Sequence, residues 1–280
     1  MKPRPLGALA LTLLIAACGA AVPPAVATPS SSTPALAATP SPAPMPNTGP
    51  ERIVGMRSRE GPPHPAMEAA FRPNLVADHC VDRDLPAPRA TDIHLTVLDR
   101  TYSLPASYVP DDLVAASEAG LTGTSAPRLV RAVMLDDLTA MADAWAAAGL
   151  SVTIESAYRS YASQAATFNS WVARIGYADA LVRSARPGHS EHQLGTALDL
   201  TSPGWSGRIG DWAGESAEGA WMAEHAWEYG FVMSYPADGQ DQTCFGYEPW
   251  HYRWVGREDA AAVRESGEDL RRYLERYVVV

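Results

Sequence analysis

Ser190-Glu191-His192-Gln193-Leu194-Gly195-Thr196-Ala197-Leu198-Asp199 sets an imidazole and a carboxylate seven residues apart with a glycine between them. A chain that turns tightly at Gly195 brings both side chains to one point. Beyond the turn, Ala197-Leu198-Asp199-Leu200 reads as a short buried strand. Working outward, Leu150 to Glu155 and Phe231 to Met233 also have strand character, and Ile93 to Leu98 alternates enough for a further short strand. Leu104 to Pro110 reads as loop. Val130, Met134, Leu138, Met141 and Trp145 fall at near-helical spacing after Ser125 and Pro127, which predicts one helix ending at Gly149. Further helices are expected from Tyr161 past Trp171, over Ala217 to Tyr229 before Gly230, and over Glu258 to Arg276. Strands separated by helices in no regular parallel rhythm indicate an α+β fold.

Two other segments carry chemistry. In Glu248-Pro249-Trp250-His251-Tyr252-Arg253 a carboxylate and an imidazole lie three apart. Two histidines and an aspartate suit zinc, and three protein ligands leave a fourth position for water, the mark of a catalytic site. In Ser156-Ala157-Tyr158-Arg159-Ser160-Tyr161-Ala162-Ser163-Gln164 an arginine stands at a strand-to-helix junction, placed to project into a cleft. Taken singly, each segment has an ordinary structural reading: a His–Asp hydrogen bond, aromatic packing, a surface ion pair. His64, His79, His94 and His225 have no matching partner and read as surface or satisfied core residues. His189 reads equally as a loop residue or a support for the neighbouring motif. Trp250 and Trp254 flank His251 and are expected to line the cleft, whereas the other tryptophans read as core.

The N-terminus carries Lys2 and Arg4, then an apolar run from Leu6 to Ile15, then Ala16-Ala17-Cys18. That is an export signal over residues 1–17, too short to span a bilayer comfortably. Ile15-Ala16-Ala17-Cys18 resembles a bacterial lipobox, which implies a lipidated Cys18. Residues 19–50 hold no charged residue and are dominated by Ala, Pro, Ser and Thr, so residues 18–50 read as a disordered tether. Residues 51–91 form a Pro-rich extension, and 92–280 suffice for one globular domain with its own core. The net charge is −10, with no basic run, which argues against nucleic-acid binding. In an exported chain the remaining Cys80 and Cys244 are most simply a disulfide; zinc ligation by the pair is the other reading.

As an ordered set the segments resemble the VanY-type zinc D-alanyl-D-alanine carboxypeptidases. The pattern is Tyr-Arg-Ser-x-x-x-Gln, then Ser-x-His-x-x-Gly-x-Ala-x-Asp, then Glu-x-Trp-His. Leu104-Pro105-Ala106 through Leu113, and Tyr229-Gly230-Phe231 with Tyr235-Pro236, extend the likeness over residues 95–257. The resemblance implies a small central antiparallel sheet with flanking helices and the site in a cleft (a Hedgehog/D-Ala-D-Ala peptidase-like fold). It implies one Zn2+ held by His192, Asp199 and His251, with Glu248 as general base and Arg159 stabilising the oxyanion. Ser190, Gln164 and Ser160 match positions that hold the substrate's terminal carboxylate. The implied substrate is a peptidoglycan stem peptide, cleaved by a monomer lipid-anchored to the outer face of the bacterial cell membrane or in the periplasm. The same machinery serves an L,D-carboxypeptidase or a wall endopeptidase, and the same scaffold a non-catalytic zinc-containing wall-binding module. The family's usual Thr-Gly-Tyr is replaced here by Thr243-Cys244-Phe245. Cys244 is therefore expected to pair with Cys80 and tie the extension over the edge of the site.

Overall fold

The computed structural model describes residues 78–121 and 127–278, all within the compact unit Gly61–Val280. The export signal, Cys18, the tether, His64 and Ser125 lie outside the described residues. Among the described residues no helix is long and apolar enough to cross a membrane.

Among the described residues eight short strands form three sheets. The central sheet holds β5 (Thr153–Ser156), β6 (Ala197–Thr201), β7 (Phe231–Met233) and β8 (His251–Trp254). It is wholly antiparallel, in the order β5-β6-β8-β7. β3 (Leu113–Ala115) and β4 (Leu129–Arg131) make an antiparallel pair, and β1 (Leu85–Pro86) runs parallel to β2 (Tyr102–Ser103). The helices are α1 (Leu135–Ala147), α2 (Tyr161–Ile175), α3 (Tyr177–Arg183), α4 (Trp212–Glu215), α5 (Ala217–His225), α6 (Gln240–Thr243), α7 (Arg257–Ser266) and α8 (Leu270–Leu274). The fold is α+β, as the segment pattern indicates.

The sheet's two faces have opposite duties because side chains alternate along a strand. Leu198, Leu200, Ile154, Tyr252, Trp254 and Phe231 point to the main core, where Leu138, Met141 and Trp145 of α1 and Met222 of α5 cover them. Those α1 residues sit three and four apart, so one helix face buries all three. Each such buried side chain contributes about 1.5–3 kcal/mol of apolar transfer free energy. The opposite face carries Asp199, His251 and Arg253. A second core joins Leu95, Val97 and Tyr102 to Val263 of α7 and Leu270, Tyr273 and Leu274 of α8.

Four local expectations change. The helix predicted after Pro127 starts at Leu135, because Val130 pairs with Val114 in the β3–β4 ladder and its burial is met there. Ile93–Leu95 is a single 3-10 turn capped by Asp92, not a strand. Ala217–Tyr229 ends in a 3-10 turn from Ala226 before Gly230. The C-terminal helix divides at Gly267, whose φ of 67° ends α7, and restarts where Asp269 caps α8.

Residues 78–91 belong to the domain, so the expected boundary at residue 92 falls inside it. β1 pairs with β2, Ala90 bridges to Val278, and Cys80 forms a disulfide with Cys244 across a sequence separation of 164. Joint replacement of Cys80 and Cys244 by serine lowers the unfolding free energy by about 2–5 kcal/mol in denaturant titrations. Unchanged stability would show that the tie contributes nothing.

Candidate metal centre and active site

His192 lies in a 3-10 turn, Glu191–Leu194, closed by Gly195 at φ 79°. A side chain at Gly195 would also meet Leu113 Cδ2 at 3.1 Å and Arg131 Cγ at 3.2 Å, so the turn needs glycine for space as well as conformation. The chain passes from there directly into β6. In the sheet Asp199 is paired across from His251 of β8, which puts both side chains on one face. Three ligand atoms, one each from His192, Asp199 and His251, lie within 4.8 Å of one another. The Nε2 atom of His192 is 3.1 Å from Asp199 Oδ2, and Nδ1 of His251 is 3.0 Å from Asp199 Oδ1.

The outer nitrogens decide how the inner ones behave. His192 Nδ1 is 2.7 Å from the Ala157 carbonyl, which only accepts, so that nitrogen carries the ring proton. Burial, with the Arg159 guanidinium nearby, pushes the His192 pKa below its usual value. Its Nε2 lone pair therefore faces the Asp199 carboxylate, and two acceptors turned toward each other make a place for a cation. His251 Nε2 is 2.9 Å from Glu191 Oε2. Burial disfavours a charged His251, but Asp199 and Glu191 together lift its pKa to about 10. Metal loading must displace the proton between His251 and Asp199. Burial also opposes ionised Asp199, yet His192 and His251 hold its carboxyl well below the usual range.

Glu248 stands beside this trio, its carboxylate 3.9 Å from His251 Nδ1. Its backbone N–H donates to Tyr235 O, and the His251 N–H donates back to Glu248 O, each at 3.0 Å. Burial pushes the Glu248 pKa up to about 8, with Asp199 and Glu191 adding to the rise and His251 and Arg159 opposing it. Arg159 follows β5, its backbone N–H bonded to His192 O at 3.1 Å. Its Nε is buried without a hydrogen-bond partner, which leaves a cationic donor to satisfy.

The sequence profile of VanY, D-alanyl-D-alanine carboxypeptidase, matches residues 127–257. The putative carboxypeptidase YodJ of Bacillus subtilis (strain 168) is 34% identical over 183 residues, covering 65% of this chain and 67% of that protein. The chain belongs to the VanY D-alanyl-D-alanine carboxypeptidase family. A D-alanyl-D-alanine carboxypeptidase of Enterococcus faecalis is 35% identical over 141 residues, 47% of this chain and 50% of that one. Among solved structures, the LdcB LD-carboxypeptidase superposes with a TM-score of 0.58 at 32% identity, covering 64% of this chain and 85% of its own. VanYB in complex with D-alanine-D-alanine gives 0.55 at 28%, covering 66% and 98%.

The remaining residues of the family pattern fall in distinct places. Ser190 is buried at the start of the His192 turn. Ser160 caps α2, its Oγ accepting from Ser163 N at 3.2 Å. Gln164 donates to Ala185 O at 2.6 Å and to Ser184 Oγ at 3.3 Å. Both its donors are thus committed, so here Gln164 braces the loop before Ser190 and offers none to a carboxylate. Trp254 does not line the cleft: it points into the core and donates from Nε1 to Asp137 at 2.9 Å. His189 supports residues 78–91 rather than the His192–Asp199–His251 trio, being bonded to Asp99 O at 2.7 Å and Asp84 at 3.0 Å. His79, Cys80 and Cys244 also cluster, but the disulfide consumes both sulfurs and removes the cysteine-ligand reading.

Four residues of the site were missed in the sequence: Glu191, Ser234, Arg253 and Tyr235. Arg253 Nη1 donates to Glu191 Oε1 at 2.7 Å, Ser234 Oγ to Glu191 Oε2 at 2.6 Å, and the Tyr235 ring packs 4.9 Å from His251. Burial raises the Glu191 pKa, but Arg253, His251 and Ser234 outweigh it and bring it to about 2. Adjacency of Glu191 to His192, and of Arg253 to His251 at strand spacing, was the available signal. Equilibrium dialysis is expected to find one divalent ion per chain, and none in Asp199→Ala or His192→Ala. Retained stoichiometry in both variants would refute the centre.

Proposed function

We propose that this protein is a zinc-dependent carboxypeptidase that removes the terminal D-alanine of peptidoglycan stem peptides, hydrolysing the D-Ala–D-Ala bond. The observation that carries the reading is the convergence of His192, Asp199 and His251 beside a buried Glu248 and an unsatisfied Arg159. Two imidazoles and one carboxylate are a donor set that fits zinc, and one of the similar solved structures is a VanY D,D-pentapeptidase in complex with Zn(II). When bound, zinc supplies Lewis acidity and an acidified water.

The chain's own residues supply the rest. Glu248 takes a proton from the attacking water and returns it to the leaving D-alanine amine; a carboxyl whose pKa burial raises is suited to both halves of that exchange. The Arg159 guanidinium donates to the oxygen of the scissile carbonyl as charge develops there. Ser190 and Ser160 offer hydroxyls for the substrate's terminal carboxylate, while Gln164 acts through the loop it holds. One chain provides every role, so the reading requires no partner subunit.

An L,D-specific cut, at the tetrapeptide instead, is favoured by the likeness to the LdcB LD-carboxypeptidase. Pocket shape rather than the ligand set separates the two activities. Full-length zinc-loaded protein incubated with synthetic pentapeptide is expected to release one D-alanine by mass spectrometry and to leave tetrapeptide intact. Glu248→Gln should lower kcat by about 10²–10⁴-fold, and Arg159→Ala by about 10²–10³-fold. Cleavage of tetrapeptide alone moves the assignment to L,D specificity; cleavage of neither by zinc-loaded protein sinks the carboxypeptidase reading.

We also propose export and lipid anchoring through Cys18 on the outer face of the cell membrane. The run Leu6–Ile15 before Ala16-Ala17-Cys18 supports this, as does a disulfide suited to an oxidising compartment. Radiolabelled palmitate should be incorporated by cells producing the parent and not by those producing Cys18→Ala; equal labelling would overturn the anchor.

A further inference from the structure

We propose that Glu191 is a positioning residue for the metal centre: its carboxylate orients His251 and raises the donor strength of the nitrogen turned toward the ligand trio. The proposal rests on the metal-centre reading above. Glu191 Oε2 accepts from His251 Nε2 at 2.9 Å and from Ser234 Oγ at 2.6 Å, while Oε1 accepts from Arg253 Nη1 at 2.7 Å. Both carboxylate oxygens are therefore fixed, and the one facing His251 is fixed twice. Arg253 is wholly buried and anchored in turn, its Nη2 donating to the carbonyls of His94 and Thr96 at 2.7 Å each. A continuous chain of contacts runs from the backbone at residues 94–96 through Arg253 and Glu191 to His251.

The arrangement exceeds what a structural ion pair requires. A buried Arg–Glu pair alone is weak evidence for stability, since desolvation offsets most of its attraction. Here the anion also fixes the tautomer of a ligand imidazole: with Nε2–H given to Glu191, the Nδ1 lone pair is free to point at the ion position. His192 is oriented by a neutral acceptor, the Ala157 carbonyl. The two histidines thus receive unlike support, and His251 is the one made more basic. The same short turn does both jobs, since Glu191 and His192 are consecutive within it.

Zinc affinity of the full-length protein, measured by competition with a chromophoric chelator, tests this. Glu191→Gln keeps the shape and removes the charge; it should weaken zinc binding about 10–100-fold and alter the cobalt d–d spectrum. Near-UV circular dichroism should stay that of the parent. A merely structural Glu191 would lower the melting temperature and leave the affinity of the folded protein untouched. Should the single variant misfold around an unpaired Arg253, the joint replacement Glu191→Gln with Arg253→Gln removes both charges and carries the same expectation. Affinity equal to the parent's in a folded variant overturns the role of Glu191 alone. A parent that binds no metal overturns the centre itself, and this inference with it.

Discussion

Asp199 and His251 face each other across the β6–β8 ladder, and the register of that pairing is the constraint on which the site depends. Because side chains alternate along a strand, a slip of one residue would send Asp199 into the core and Leu198 into the cleft. The register is held from the apolar side, where Leu198, Leu200 and Tyr252 are locked against α1 and α5. Packing on one face thus fixes chemistry on the other. His192 is brought in by a separate device, the 3-10 turn closed at Gly195, which delivers it just as the chain enters β6.

So many ionisable groups in a dry place must satisfy one another. Asp199, His251, Glu191 and Arg253 form an alternating sequence of anion and cation, and Ser234 and the carbonyls of His94 and Thr96 complete it. Each charge is matched by neighbours on both sides, which keeps the desolvation cost tolerable. Removing one member from the middle strands the next, a loss of about 3–5 kcal/mol for a buried pair. Glu248 and Arg159 stand beside this sequence rather than within it. Burial raises the carboxyl of Glu248 toward neutrality, and Arg159, like Arg253, keeps a buried Nε without a hydrogen-bond partner.

From sequence alone, His192, Asp199, His251 and Glu248 stand out as candidates that the fold brings together, and the α+β class and the Cys80–Cys244 pair are legible too. Those signals are local and rest on few residue types: a seven-residue His-to-Asp interval around one glycine, a short Glu-to-His interval, and two cysteines beyond Cys18. The errors came where periodicity was read without knowledge of the partner. Val130 sits at helical spacing from Met134, yet a strand partner at Val114 takes it. Trp254 is three residues from His251, but on a strand that puts it on the opposite face. Glu191 went unassigned because its partners, Ser234, His251 and Arg253, lie 43 to 62 residues away. Gln164 matched a family position, while its actual hydrogen bonds run to a loop that pattern reading leaves blank.

Residues 78–91 have a mechanical meaning beyond their contribution to stability. Any tension arriving along the chain from its N-terminal side reaches Cys80 before it reaches β1. There the covalent bond to Cys244 diverts the load into the far side of the domain. The two-residue ladder between β1 and β2, and the contacts of Asp84 with His189 and Arg186, are thereby shielded from peeling.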